Sequence, residues 1–129
     1  MERRLAAIIA ADMVGFSRQM HSDEEGTLER LKLVHAELIA PEIATGGGRI
    51  FKMMGDGFLA EFASAINALN CAVAIQRAIG VRNSAVEADQ QTVFRMGINI
   101  GDIIIEGEDI LSYVARVDSR IYLERSCLP

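Results

Sequence analysis

Every residue from Leu5 to Met13 is apolar except Asp12. A run of that kind, rich in Ile and Ala, has no polar side to turn toward water, so it reads as a central strand covered on both faces. It is too short to cross a membrane as a helix, which needs about 20 apolar residues, and no other stretch approaches that length. Arg3 and Arg4 before it give a faint likeness to an export leader. The unbroken apolar part ends at Asp12 after seven residues, however, and a buried strand is the expectation.

The chain has 129 residues, room for one domain covering residues 1–129, and half of them are hydrophobic, enough for a real core. Thirteen basic against eighteen acidic residues give a net charge of −5. That balance argues against a nucleic-acid partner, because phosphate-backbone binding draws on a basic surplus. A small nucleotide is still compatible, since metal ions can carry its phosphates. Cys71 and Cys127 form no CxxC pair, which fits a reduced, cytoplasmic setting with no membrane association.

Ser22-Asp23-Glu24-Glu25 has the form of a capping box, with Ser22 as the cap. Leu28, Leu31, His35, Leu38 and Ile39 then recur at helical spacing, predicting a helix over residues 23–39 with Pro41 near its end. Residues 49–54 and 58–62 read as strands joined by Gly55-Asp56-Gly57, an Asp-Gly turn that favours a hairpin. Ser64 can cap a second helix ending near Gly80, and residues 82–92 read as a surface loop. Residues 94–100 and 103–105 look like two more strands parted by Gly101-Asp102. The order is a βαββαβ pattern, an α/β (α+β) arrangement with helices on one face of a sheet. No clean period follows Leu111.

Two acids stand out. Asp12 ends a buried strand, and Asp56 sits in the hairpin turn. If the first strand lies beside the hairpin, both reach one edge, where paired carboxylates suit hard cations such as Mg²⁺ or Mn²⁺. The plainer readings are that Asp12 caps residues 15–20 and that Asp56 is an ordinary turn residue. Gly15-Phe16-Ser17 leads into helical sequence, a junction whose amides can bind phosphate oxygens. Neither GxxxxGK[ST] nor GxGxxG is present. Alternation alone makes Lys52 a surface lysine. His21 and His35 lack partners at zinc-ligand spacing, and no Ser-His-Asp arrangement suggests itself.

Ala11-Asp12-Met13-Val14-Gly15-Phe16-Ser17, followed 44 residues after Asp12 by Lys52-Met53-Met54-Gly55-Asp56-Gly57, resembles the catalytic domain of class III nucleotidyl cyclases. Met96-Gly97-Ile98-Asn99-Ile100-Gly101-Asp102 and Glu108-Asp109-Ile110 continue the match in the same order, so the resemblance covers residues 3 to about 111. It implies a ferredoxin-like core and the conversion of ATP to cyclic AMP and pyrophosphate. It further implies that Asp12 and Asp56, with the carbonyl of Met13, hold two Mg²⁺ or Mn²⁺ ions. The turn Val14, Gly15, Phe16 and Ser17 would contact the triphosphate, and Lys52 with Asp109 would read the adenine. The site would form between two subunits of a head-to-tail homodimer, with the two aspartates from one and Lys52 and Asp109 from the other.

After Ile110 the family carries a segment like GxxVNVAAR, whose Asn orients the ribose and whose Arg stabilises the transition state. Here residues 111–120 read Leu-Ser-Tyr-Val-Ala-Arg-Val-Asp-Ser-Arg, with no Asn. The catalytic arginine falls on Arg120 without a gap and on Arg116 with one. The resemblance is thus incomplete or altered after about residue 111. Two readings stand from the residues: an adenylate cyclase domain, or a catalytically silent cyclase-like module that binds nucleotide or dimerises. A diguanylate cyclase would want a GGDEF-type hairpin, which Met54-Gly55-Asp56-Gly57-Phe58 does not supply.

Overall fold

The apolar run lies in the middle of an antiparallel sheet, within a strand that starts earlier than expected, at Glu2. The computed structural model describes residues 2–115 and 121–123, with side chains through residue 110. Its first half runs β1 (Glu2–Met13), α1 (Phe16–Ser22), α2 (Glu24–Val34), α3 (Ala40–Thr45), β2 (Arg49–Met54) and β3 (Gly57–Phe62). Then come α4 (Ala65–Asn83), β4 (Phe94–Glu106), β5 (Asp109–Ala115) and β6 (Ile121–Leu123). The strand order is β2-β3-β1-β4-β5, with β6 also paired to β4 and every pairing antiparallel. The first four strands of that order, with helices after β1 and after β3, make the ferredoxin-like βαββαβ core.

Alternation along β1 divides the interior in two. Ala7, Ile9, Ala11 and Met13 face the helices and pack with Val34, Ile43, Ile75 and the ring of Phe58. Ala6 and Ile8 face the other way and pack with Leu59, Ile103 and Ile105, a cluster built from strands alone. Ile8 and Ile9 are both fully buried, each worth about 1.5–3 kcal/mol relative to exposure. The double covering expected of the run is therefore present, helices on one side and the sheet's own curl on the other.

Several local expectations change. The cap of α2 is Asp23, whose carboxylate accepts from the amide of Gly26 at 3.1 Å; Ser22 instead ends the preceding α1. The helix does not stop at Pro41. A π-helical turn, His35–Ile39, carries it into α3, with the Ala40 amide donating to the carbonyl of His35 five residues back. Proline has no amide hydrogen and crowds the carbonyl four residues earlier, and a widened turn relieves both problems. Ser64 does cap α4, accepting from the Asn67 amide at 3.1 Å, but the helix passes Gly80 to Asn83.

The two strands expected at 94–100 and 103–105 are one strand, β4. Gly101 and Asp102 pair with Ala6 and Leu5, so the early start of β1 keeps that stretch extended.

Main chain approaches Gly57 closely, opposite Asp12. A Cβ there would stand 2.0 Å from the carbonyl oxygen of Ala11, a clash with main chain that no rotamer relieves. Gly55, in the same hairpin turn, has open space around its would-be Cβ. Gly57→Ala should therefore cost at least about 2 kcal/mol in denaturant titrations, and Gly55→Ala no more than about 0.5 kcal/mol. Equal unfolding midpoints would show that the hairpin is not pressed against β1.

Candidate functional site

The hairpin turn is tied to the end of β1 by main chain. The amide of Met13 donates to the carbonyl of Asp56 at 2.8 Å, and Asp12 pairs in register with Gly57. Asp12 and Asp56, 44 residues apart in the chain, thus meet at one edge of the sheet, both partly exposed. The plainer reading of Asp12 as a cap fails, because the residue before α1 is Gly15. Asp12 falls on the helix-free side of β1, in phase with Ala6 and Ile8.

Sequence reasoning missed Arg95. It lies opposite Asp12 in the β1–β4 register, and its guanidinium donates to Asp12 Oδ2 at 2.8 Å. Both side chains are about half exposed, so the pair is worth no more than about 1 kcal/mol. The signal that could have found it is a charge between Phe94 and Met96 in an alternating strand. The pairing itself depends on register, which those residues do not encode locally.

The turn after β1 holds the expected Val14, Gly15, Phe16 and Ser17. Val14 donates its amide to the Val93 carbonyl at 2.7 Å, and Gly15 takes φ 71°, the left-handed region where glycine is favoured. Helix α1 begins at Phe16 with no side-chain cap, leaving its first amides without a side-chain acceptor.

Lys52 is exposed on β2, paired with Leu59, and Asp109 is exposed at the start of β5. These strands lie at opposite edges in the order, yet their surroundings meet on the helix-free face. The Arg49 guanidinium donates to the carbonyl of Glu108, and Phe51 and Ile110 pack on the same cluster around Ile8. Among the described residues, nothing hydrogen-bonds Lys52 or Asp109 to Asp12 or Asp56. Arg116 and Arg120 lie outside the described residues.

Two carboxylates and a main-chain carbonyl are the oxygen donors at the Asp12 edge. Among the described residues, no group of three or more His, Cys, Asp or Glu side chains converges as a ligand set. On the helix side of the turn, a cavity of about 270 Å³ is lined by Leu28, Leu31, Lys32, His35, Met53 and Asp56, among others. His35 meets the Phe58 ring edge-on at 6.0 Å between centroids. Cys71 is a buried packing residue whose thiol is pushed up to about 11 by burial and then by Glu42, so it carries no reactive thiolate at neutral pH. Among the described residues, no helix is long and apolar enough to cross a membrane.

No family model matches the chain. Over 121 residues, 94% of its length, it is 44% identical to a Rhizobium meliloti (strain 1021) protein named "Putative adenylate cyclase 3". The chain spans about a fifth of that relative, 21% of its length. It is also similar to the solved adenylate/guanylate cyclase/hydrolase from Silicibacter pomeroyi, with 50% identity and a TM-score of 0.77. That match covers 86% of this chain and 64% of the other. The guanylyl cyclase Cya2 matches at 25% identity and a TM-score of 0.69, over 92% of this chain and 66% of that one. A ferredoxin-like sheet with an aspartate at the end of its central strand and another in the adjoining hairpin is thus the frame of a nucleotidyl cyclase domain. The chain belongs to the class III adenylate/guanylate cyclase catalytic-domain family.

Burial lowers the pKa of His35 below its ordinary 6.5. Between those two values the unfolded chain binds a proton that the folded chain does not, so stability falls as pH is lowered through that window. Urea titrations from pH 7.5 downward should show wild type losing more stability than His35→Gln below pH 6.5. Parallel curves for the two proteins would show that burial does not disfavour the charged ring.

Proposed function

We propose that the chain is the core of an adenylate cyclase domain, forming 3′,5′-cyclic AMP and pyrophosphate from ATP. The observation that carries this reading is the junction of Asp12 with Asp56, held by the Met13–Asp56 main-chain hydrogen bond. Their carboxylates and the Met13 carbonyl are all-oxygen donors at a partly exposed edge, which fits Mg²⁺ or Mn²⁺. Two such ions, when bound, neutralise phosphate charge and make the ribose 3′-hydroxyl more acidic. The 3′-hydroxyl gives up its proton to solvent, the bond formed is O3′–Pα, and the P–O bond broken is that from Pα to the bridging oxygen that departs with pyrophosphate.

The chain's own residues then divide the remaining work. Asp12 and Asp56 fix the α-phosphate end, and within the turn from Val14 to Ser17 the amides of Gly15, Phe16 and Ser17 hold the triphosphate. Arg95, already beside Asp12, adds positive charge next to the same phosphates. Lys52 donates and Asp109 accepts along the adenine edge, which presents a ring nitrogen acceptor beside an amino donor. Arg116 or Arg120 stabilises charge developing at the reacting phosphorus. The aspartates and the base-reading pair come from different subunits of a head-to-tail homodimer.

One observation favours a second reading. Residues 111–120 contain no Asn, where the family uses one to orient the ribose. On that reading the chain binds nucleotide or pairs with a second copy without turnover.

Cyclic AMP formation from ATP with Mn²⁺, measured at protein concentrations high enough for dimers, separates the two. Turnover in wild type that falls by at least about 10³-fold in Asp56→Ala supports the cyclase. Nucleotide binding without product, from folded protein, supports the silent module.

A mixing assay tests the shared site. Asp56→Ala and Lys52→Ala chains, each inactive alone, should recover roughly a quarter of wild-type activity when mixed equally, because half the dimers then hold one intact site of two. No recovery on mixing, with dimers verified by sedimentation, would place all four residues in one subunit's site.

A further inference from the structure

Arg49 opens β2 opposite Glu61 of β3, on the helix-free face. Glu61 is only 8% exposed and lies between two guanidinium groups, 3.1 Å from Arg4 and 3.5 Å from Arg49. A carboxylate so far removed from water needs its charge matched, so Glu61 holds the Arg49 side chain in one place. Through its other terminal nitrogen, Arg49 donates to the carbonyl of Glu108 in the turn between β4 and β5. One planar fork therefore joins β3 to a turn that belongs to the opposite edge of the strand order. Apolar packing accompanies the same junction, Phe51 and Ile110 each lying against the cluster that holds Ile8 and Leu59.

The position of this clasp is what gives it meaning. Arg49 is three residues before Lys52, and Glu108 immediately precedes Asp109. Gly107, with φ 63°, bends the turn so that the Glu108 carbonyl can be reached. We propose that Arg49 is a positioning residue for base recognition: anchored by Glu61, it fixes the Asp109 turn relative to Lys52. This rests on the reading of Lys52 and Asp109 as the pair that contacts the base. The residue touches no nucleotide itself and acts through main chain. A lysine in its place could still pair with Glu61 but would lack the second, divergent donor.

The test uses the whole chain as wild type, Arg49→Ala, Arg49→Lys and, as a control on Glu61 alone, Arg4→Ala. Amide hydrogen exchange across residues 103–110 should speed up about tenfold in both Arg49 variants and stay near wild type in Arg4→Ala. The preference for ATP over GTP, taken as a ratio of kcat/KM values or of nucleotide Kd values, should fall about tenfold in Arg49→Lys. For the kinetic ratio, the change should come chiefly through KM.

Unchanged exchange in both Arg49 variants overturns the clasp. Faster exchange with the base preference retained overturns the role in recognition. A wild-type chain with no preference between ATP and GTP would instead overturn the assignment of Lys52 and Asp109, and with it any part for Arg49 in reading the base. The exchange result would still decide whether Arg49 holds the turn.

Discussion

Because β1 buries Ile9 on one face and Ile8 on the other, neither face can be surrendered to water without losing about 1.5–3 kcal/mol per isoleucine. That requirement organises everything around it. The odd-numbered side chains call for helices, supplied by α2–α4 and the π turn between α2 and α3. The even-numbered ones are covered by strands that curl back over the sheet, which brings the β4–β5 turn near β2. The candidate chemistry sits where those coverings end. After the apolar Ala6, Ile8 and Ala10, Asp12 returns the even-numbered face of β1 to a polar side chain, and it emerges at the edge where the hairpin turn is fastened.

Two ion pairs on the helix-free face differ in character. Asp12 and Arg95 are about half exposed, so water competes for both and the contact can be exchanged for another at little cost. Glu61, by contrast, keeps only 10% of its side-chain surface and is bracketed by Arg4 and Arg49. Removing both of those partners would leave an unpaired, poorly solvated charge, which is far more costly than breaking a surface pair. The labile pair stands at the carboxylates assigned to catalysis, and the fixed one stands where geometry between distant segments must be maintained.

Much of this was legible in the residues because the informative signals were local. A seven-residue apolar run, an Asp-Gly hairpin and a Ser64 cap each report on a few neighbours, and the structure bears out each. From the first two it followed that Asp12 and Asp56 would meet if strand and hairpin were adjacent. The misreadings share a different origin. Gly101-Asp102 looks like a break until β1 is known to begin at Glu2 and pair with it. Arg95 gains its partner only through register, and Arg49 reaches Glu108 only because the sheet curls. Those are long-range consequences of packing, absent from any short window of sequence.

The π turn has a bearing on how the helical layer keeps its phase. Val34 and Ile39 are both buried, five residues apart, whereas in an unbroken α-helix that spacing would place them about 140° from each other. Widening one turn absorbs a single extra residue, so that the apolar stripe of α2 runs on into Ile43 of α3 without rotating off the sheet. The helix thus carries an insertion that its contacts conceal. A ruler of seven-residue repeats laid along residues 24–45 would lose its place at His35, and the core would not.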